Sequence, residues 1–151
     1  MRKFYVNEEW VNHDIRLPRR MTKKAAGYDF EAVEDIEIVP IWRTIWHTLT
    51  IKPQKVHTGV SVTMEDDDVL KVYNRSSNPI TRLLMLANGT GVIDADYTGE
   101  ISFDFWNFGT KPLLIKKGER VGQGVFQKFL LVDEEIKPKR TRTGGNGSTN
   151  E

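Results

Sequence analysis

The sequence has no cysteine among its 151 residues. This absence excludes a disulfide framework, a thiol nucleophile and any zinc or iron–sulfur site that is built on thiolates. The three histidines, His13, His47 and His57, are too scattered along the chain to suggest a zinc site in their place. The chemistry of this chain must therefore come from carboxylates, hydroxyls, amides and basic side chains.

Long apolar runs and a large net charge are also missing. The apolar runs are only a few residues long, and the first ten residues lack the apolar core of a signal peptide, so we expect neither membrane insertion nor secretion. The 22 basic and 21 acidic residues leave a formal net charge of +1, so no global field would draw the chain to nucleic acid. The length suits one cytoplasmic domain that folds without covalent staples.

Short β-prone segments separated by turns make up most of the chain. Within residues 99–108, Ile101, Phe103 and Phe105 share one face, which we predict to be part of the core. Strands of this length and spacing predict an all-β fold, either a sandwich or a jelly-roll barrel. The predicted strands are 36–39, 45–51, 59–63, 69–73, 99–108, 112–115 and 121–131.

Two segments depart from this strand pattern. Asn78 as an N-cap, followed by Pro79 and then residues 80–87, predicts one short helix. Residues 137–151 contain no large apolar side chain and cannot bury enough surface to order themselves. We therefore predict a folded domain over residues 1–136 and a flexible C-terminal arm beyond it.

Residues 89–99 form the most informative stretch, because glycines, two carboxylates and a tyrosine lie close together there. Val92 and Ile93 predict a short strand, and the glycines on either side allow a tight hairpin. Along a strand, Asp94 and Asp96 would project to the same face. Uncovered backbone groups at a glycine-rich tip can bond the edge of a flat ligand, which outlines a nucleotide pocket. From these residues alone, a plain turn is the alternative.

Five segments, in this order and spacing, resemble the signature motifs of one family: residues 26–32, 74–79, 88–97, 118–123 and 142–149. The family is that of the trimeric deoxyuridine triphosphate nucleotidohydrolases (dUTPases), and the resemblance is greatest to bacteriophage and prophage enzymes. It implies a jelly-roll fold and a homotrimer whose three sites are shared between subunits. It also implies Mg²⁺-dependent hydrolysis of dUTP to dUMP and pyrophosphate, in the host cytoplasm if a phage encodes the chain.

The third segment carries the roles closest to the chemistry. By resemblance, Asp94 is the catalytic residue, since an ionised carboxylate can orient and deprotonate the water that attacks the α-phosphorus. The flat ring of Tyr97 would pack under deoxyribose and leave no room for a 2′-hydroxyl. The Asn88 amide would read the uracil edge together with neighbouring backbone. The substrate-binding residues predicted in this segment are Asn88, Gly91, Val92, Ile93 and Tyr97.

The resemblance assigns the phosphates and the metal to other segments. The guanidinium of Arg75 suits phosphate oxygens, and the start of the predicted helix adds backbone N–H groups and a favourable dipole. Asp29 would lie near Mg²⁺ through water, because Mg²⁺ keeps several waters and binds substrate phosphates. Arg120 is expected to brace the fold, and the acidic run 65–68 to be a solvated loop. The predicted phosphate ligands are Arg75, Ser76, Ser77 and Gln123.

The C-terminal arm resembles the segment that closes over a neighbouring subunit's γ-phosphate. Its predicted ligands are Arg142, Asn146, Gly147, Ser148 and Thr149, although Arg140 also lies near the position of Arg142. Asn146 stands where the family usually has an aromatic residue over uracil, and an amide cannot replace stacking that contributes about 1–3 kcal/mol. Asn74 stands where the family often has proline. Residues 41–52 form a longer connection than usual and are predicted to be an insertion.

Two alternatives to dUTP hydrolysis follow from these departures and from the fold. One is a nucleotide-gated regulatory binding protein, with catalysis weakened through Asn146 and a host protein contacting Trp42 and Trp46. The other is a dCTP deaminase, which shares the fold, although residues 94–100 favour hydrolysis. In the preferred interpretation the partners are dUTP and two further copies of the chain, with neither membrane nor nucleic acid.

Overall fold

Two four-stranded antiparallel sheets and one two-stranded ribbon form the fold of the computed structural model, which describes residues 1–43 and 52–136. The strand order is β1-β4-β8-β6 in the first sheet, β2-β10-β5-β7 in the second and β3-β9 in the ribbon. The strands are β1 (Lys3–Val6), β2 (Tyr28–Glu31), β3 (Ile36–Ile38), β4 (Gln54–Thr63), β5 (Asp68–Asn74), β6 (Leu84–Leu86), β7 (Thr90–Ile93), β8 (Ile101–Asn107), β9 (Leu113–Ile115) and β10 (Arg120–Lys128). The described residues also include a 3₁₀ turn, Glu8–Trp10, and a short helix, α1 (Ser77–Thr81).

The core lies between the two sheets and is built by strand alternation. Ile101, Phe103 and Phe105 are at most 1% exposed, which confirms the predicted core face of β8. The ring of Phe103 lies 5.6 Å from that of Phe30 in the opposite sheet, so the two layers are in direct contact. Gly122 is required at this contact, because a Cβ atom there would lie 2.0 Å from the Phe103 ring. The predicted all-β jelly-roll fold is confirmed.

The helix prediction is correct in place but wrong in its bounds and its cap. The helix begins at Ser77 with Ser76 at the N-cap position, and it ends at Thr81. Leu83 has a positive φ of 53°, which ends the helical path, and the next residues pair with β8 as strand β6. Asn78 makes no cap; it is fully buried, and its side chain bonds the Val121 carbonyl at 2.9 Å. Pairing with distant β8 therefore overrides the local helical pattern of residues 84–87.

The hairpin prediction for residues 89–99 is wrong. Strand β7 pairs with β5 in the second sheet, whereas β6 before it and β8 after it lie in the first sheet. The strand ends at Ile93, so Asp94 and Asp96 lie beyond it and strand alternation does not place them. They belong instead to a turn in which the Tyr97 N–H donates to the Asp94 carbonyl at 3.1 Å. This stretch crosses between two sheets rather than folding back on itself.

The predicted strands 36–39, 69–73, 99–108, 112–115 and 121–131 agree with the structure to within about three residues, whereas β4 begins at Gln54, well before the predicted strand 59–63. Strands β1 and β2 were not predicted, and β10 ends at Lys128 rather than at residue 131. The predicted strand 45–51 and the arm 137–151 lie outside the described residues, and residues 41–43 are helical. Among residues 1–43 and 52–136, no helix is long and apolar enough to span a membrane.

Candidate active site

The outer face of the second sheet carries a row of polar side chains that runs across all four strands. Gln123 on β10 lies directly opposite Asp29 on β2 and Tyr73 on β5, and Tyr73 lies opposite Thr90 on β7. The neighbours of these residues along the strands, among them Phe30 and Val72, face the core. Alternation therefore turns the row away from the core, so residues of the first, third and fourth predicted motifs share one surface.

An ion pair and a hydrogen bond connect Arg75, which belongs to the second predicted motif, to this row. Arg120 donates from Nη1 to Oδ2 of Asp29 at 3.0 Å, and Arg75 donates from its own Nη1 to the Arg120 carbonyl at 3.1 Å. Asp29 has 15% of its side chain exposed and Arg120 has 38%. We call Asp29, Arg75, Arg120 and Gln123 the phosphate-side cluster. Arg120 contacts both Asp29 and Arg75 and so links the first and second motifs within this cluster.

A glycine allows Gln123 its place in the cluster. A Cβ atom on Gly27 would lie 2.5 Å from Oε1 of Gln123, which is shorter than any normal contact. The glutamine side chain therefore lies flat over the backbone of the first motif. Any larger residue at position 27 would displace it.

Asn74, where the family often has proline, takes part in a hydrogen-bond network that proline could not make. Its Nδ2 donates to the Leu84 carbonyl at 2.8 Å, and its Oδ1 accepts from Nδ2 of Asn78 at 2.8 Å. Asn78 in turn bonds β10 through the Val121 carbonyl. Two amides thus fasten helix α1 to the sheet beside Arg75. The resemblance gave no role to Asn78, and its burial depends on contacts that local sequence does not encode.

Helix α1 is too short to contribute a substantial dipole to phosphate binding. Helix α1 has five residues, and Ser76 is itself in a helical conformation with no side-chain cap. Few aligned peptide dipoles sum over such a length. Phosphate binding at this position would rest on the Arg75 guanidinium and on the hydroxyls of Ser76 and Ser77.

Asp94 lies at the other end of the same sheet face, beside an open cavity of about 730 Å³. The cavity wall combines charged and apolar side chains, including Val69, Lys71, Val92, Asp94, Asp96 and Phe129. Asp94 and Asp96 are both exposed. The arrangement gives a water-accessible carboxylate next to a space large enough for a nucleotide base and sugar.

The other residues predicted in the third motif lie along β7 and its flanks. Asn88 and Gly89 form the crossing from β6, with the Gly89 N–H donating to the Leu86 carbonyl at 3.0 Å. Gly91 faces Val72 so closely that a Cβ would lie 2.4 Å from the valine methyl group. Val92 is 59% exposed on the outer face. Asn88 and Val92 thus remain accessible, while Gly91 is needed for packing.

Tyr97 is largely enclosed by the protein. It is 7% exposed, and its hydroxyl donates to the Glu100 carbonyl at 2.8 Å. The Glu100 carboxylate accepts from the Thr58 and Gly59 N–H groups on β4 and pairs with the His57 ring at 2.7 Å. His57 and Glu100 were not predicted as site residues. The tyrosine is therefore part of a fastened structure rather than a side chain in open solvent.

The acidic run 65–68 is a solvated loop only in part, since Asp68 is 1% exposed. Its carboxylate accepts from Arg2 at 2.7 Å and lies 3.1 Å from Nζ of Lys128. The hydrogen bond from Arg2 lowers the pKa of Asp68, and Lys128 adds to this shift. The hydrogen bond to Asp68 raises the pKa of Arg2, and the pKa of Lys128 is raised first by its hydrogen bond to Asp67 and then by Asp68. This ion-pair group closes the N-terminal strand against β5 and is distinct from the phosphate-side cluster.

A metal would have to share its coordination with substrate at this site. Within residues 1–43 and 52–136, no three His, Asp or Glu side chains come together as a cation cage. Asp29, which already accepts from Arg120, suits contact with a hydrated ion through water. This donor set fits Mg²⁺, which retains waters and is held largely by phosphates. The tail ligands Arg142, Asn146, Gly147, Ser148 and Thr149 lie outside the described residues.

The fold and the order of the motifs define a jelly-roll nucleotide hydrolase, and comparison with known proteins makes the assignment specific. The family model described as dUTPase matches residues 13–150. The chain therefore belongs to the dUTPase family. It is an enzyme, and its general activity is the hydrolysis of dUTP that gives the family its name.

The relatives support this assignment over nearly the whole chain. The deoxyuridine 5'-triphosphate nucleotidohydrolase of Lactococcus lactis subsp. lactis is 39% identical and covers 99% of this chain and 97% of its own. The dUTPase from Streptococcus mutans is 34% identical with a TM-score of 0.72, over 87% of this chain and 98% of its own. A mutant dUTPase from phage phi11 of S. aureus, which coordinates a structural Mg(II) ion, shares the fold at 19% identity with a TM-score of 0.70, over 95% and 99%.

Proposed function

We propose that this protein hydrolyses dUTP to dUMP and pyrophosphate by activating a water with Asp94. The observation that carries the proposal is the exposed Asp94 carboxylate beside a nucleotide-sized cavity, in the order of motifs that the family shares. The Asp94 carboxylate takes a proton from the water while the water oxygen attacks the α-phosphorus. Pyrophosphate then leaves. General-base assistance of this kind contributes a factor of about 10²–10⁴ in rate.

The phosphate-side cluster supplies the charge that the triphosphate requires. Arg75 presents a planar fork of N–H donors, and Gln123 adds an amide over Gly27. The hydroxyls of Ser76 and Ser77 follow Arg75 directly. Asp29 would hold Mg²⁺ through water, and the bound ion would supply positive charge that neutralises the triphosphate. Asn88 and the backbone at residues 91–93 bind uracil, and Tyr97 excludes a 2′-hydroxyl.

Each active site is assembled from more than one chain. In β5, Leu70 lies opposite Ile93 of β7 and Asn74 ends the strand, so Arg75 and Asp94 lie at opposite ends of the β5–β7 pair. At about 3.3 Å per residue, the two residues of one chain are about 20 Å apart. A water must be within about 3.5 Å of the phosphorus it attacks. A cyclic homotrimer could bring Asp94 of one chain next to the phosphate-side cluster of another chain, and so place the water close enough to the phosphorus.

Mixing of subunits tests this shared site. We would combine unfolded Asp94→Asn and Arg75→Ala chains and refold them together. Each variant alone is expected to be nearly inactive, whereas mixed trimers regain activity because some sites receive both native residues. Mixtures that stay as inactive as the separate variants would show that both residues act from the same chain. Mass measurement in solution tests the trimer itself.

Isotope labelling tests the chemistry. Hydrolysis of dUTP in water enriched in ¹⁸O is expected to place the label in dUMP, because attack at the α-phosphorus leaves the solvent oxygen there. Label in pyrophosphate would instead indicate attack at the β-phosphorus and overturn the proposed mechanism. Parallel reactions with dCTP, dTTP and UTP define the substrate range, and ammonia release from dCTP would support the deaminase alternative that family membership disfavours.

The regulatory role and the cytoplasmic location stay predictions. Trp42 is 45% exposed, but Trp46 lies outside the described residues, so the contact surface invoked for a host protein is described only in part. An Asn146→Phe variant with greatly increased turnover, together with a host protein that co-purifies, would favour the regulatory interpretation.

A further inference from the structure

The loop of residues 94–100, which carries Asp94 and Tyr97, is fastened at its far end. The Tyr97 hydroxyl donates to the Glu100 carbonyl at 2.8 Å, and the Gly99 carbonyl accepts from the Ser61 hydroxyl at 2.9 Å. The bond from Ser61 joins this loop, which leaves the second sheet, to strand β4 of the first sheet, and the bond from Tyr97 closes the loop on itself. The position of the tyrosine ring is thus tied to the backbone of Glu100.

The Glu100 carboxylate is in turn held by an irregular part of β4. Its Oε1 accepts from the Thr58 N–H at 2.9 Å and from the Gly59 N–H at 2.7 Å. The register of β4 against β8 shifts between Val56 and Val60, so these N–H groups lack the regular ladder partners of an unbroken strand. The carboxylate replaces those partners. Buried N–H groups without an acceptor are costly, so the contact is strongly favoured.

The bulge itself is fixed by close packing. Gly59 has a φ of 67°, and a Cβ there would lie 2.6 Å from Cδ1 of Ile15. The second oxygen of Glu100 pairs with Nδ1 of His57 at 2.7 Å, and the His57 ring lies 5.2 Å from that of Trp10. Glu100 has 12% of its side chain exposed. The Glu100 carboxylate is therefore held in one arrangement and has little access to water.

We propose that Glu100 is a positioning residue that sets the sugar selectivity of the enzyme by fastening the 94–100 loop to the bulge of β4 and thereby fixing the Tyr97 ring. The inference rests on the proposed role of Tyr97 against deoxyribose. A ring excludes a 2′-hydroxyl only if it cannot retreat by the width of that group. Glu100 prevents this retreat without touching the substrate.

Selectivity between dUTP and UTP tests the proposal. For each variant we would measure the ratio of kcat/KM for dUTP to kcat/KM for UTP. Glu100→Ala is expected to lower this ratio about tenfold or more, since a loosened pocket admits the extra hydroxyl. Glu100→Gln, which keeps an oxygen of the same shape for the Thr58 and Gly59 N–H groups, is expected to retain most of the ratio.

Tyr97→Phe provides a variant that leaves the bulge intact. It removes only the hydroxyl that bonds the Glu100 carbonyl and keeps the ring, so the ratio is expected to fall in the same direction. The double variant with Glu100→Ala should have a ratio close to that of the more affected single variant, because both substitutions release the same ring. Effects that multiply fully would show that Glu100 does not act through Tyr97.

Asn107→Ala is the matched control for general loss of stability. Asn107 is 2% exposed and bonds the Ile38 and Lys111 carbonyls, on contacts that the 94–100 loop does not share. It should lower the melting temperature with the ratio unchanged. Equal changes of the ratio in Asn107→Ala and Glu100→Ala would overturn the proposal, as would an unchanged ratio in Tyr97→Phe. If the unaltered protein does not prefer dUTP to UTP, the proposed role of Tyr97 fails as well.

Discussion

Asp29 lies within the outer face of the second sheet and Asp94 lies just past the end of β7 in the same sheet, and the surroundings of the two carboxylates differ. Asp29 is mostly covered and accepts a hydrogen bond from Arg120, whose carbonyl also holds Arg75. Asp94 lies past the end of β7, exposed at the rim of a cavity. The four residues of the phosphate-side cluster belong to one chain, whereas Asp94 borders an open cavity of about 730 Å³.

Under the proposed mechanism, this difference separates phosphate binding from the chemical step. A cluster that must oppose a highly charged triphosphate benefits from donors held in place before the substrate arrives. A general base instead needs access to water and to a substrate that arrives from outside the chain. The two regions should therefore respond differently to substitution, the first mainly through KM and the second mainly through kcat.

The largest effect is expected at Asp94. Asp94→Asn keeps the shape of the side chain but removes the base, so kcat for dUTP should fall by a factor of about 10²–10⁴ with KM little changed. Pyrophosphate release measured over a range of dUTP concentrations separates the two constants. Asp96→Asn, on the same turn, is the control and should retain most activity. A full rate in Asp94→Asn would remove the general-base assignment.

Gly27→Ala is expected to have a smaller effect, and to act on KM rather than on kcat. The added methyl group would overlap Gln123 Oε1 and turn the amide away from the phosphates. We expect KM to rise about tenfold, in line with the loss of one hydrogen bond to a charged group, and kcat to change little. Ala26→Ser, at the exposed neighbouring position, is the matched control. A lower kcat with an unchanged KM would contradict the division between the two regions.

Asp29→Asn should change the Mg²⁺ dependence of the activity, which Asp94→Asn should not. If Asp29 contacts Mg²⁺ through water, the variant needs several times more Mg²⁺ for half-maximal activity, while activity at saturating Mg²⁺ stays close to that of the unaltered protein. Activity titrated with Mg²⁺ measures this. Arg120→Lys, which keeps a positive charge beside Asp29, is the control for loss of the ion pair. Identical Mg²⁺ curves for Asp29→Asn and the unaltered protein would leave Asp29 with a structural role only.

The smallest effect is expected away from both regions, at Asp68. Because Arg2 lowers its pKa in the folded state, the carboxylate stabilises the fold above the unfolded pKa of about 3.9, and this stabilisation is lost as the pH falls through the folded value. Asp68→Asn should thus lower the urea midpoint at pH 7, and the difference should shrink towards pH 3. Exposed Asp66→Asn should show no such trend. Activity at pH 7 should be retained in both.

Local patterns predicted the parts of the fold that depend on near neighbours. Alternation along 101–105 sufficed to place Ile101, Phe103 and Phe105 in the core, because side-chain direction in a strand repeats every two residues. The order of the motifs sufficed to predict the family and the jelly roll. The third motif was placed in a hairpin because its glycines allow one, and sequence did not reveal that its neighbouring strands lie in different sheets.

By itself, then, the order of residues determined the class of enzyme and the core face of β8. Tertiary structure alone decided that Leu84–Leu86 is a strand, that Asp68 is buried by Arg2 and that Glu100 holds the β4 bulge beside His57. These contacts join residues that are 19 or more positions apart. Their energy arises only once both sheets have formed, so no local spacing records it.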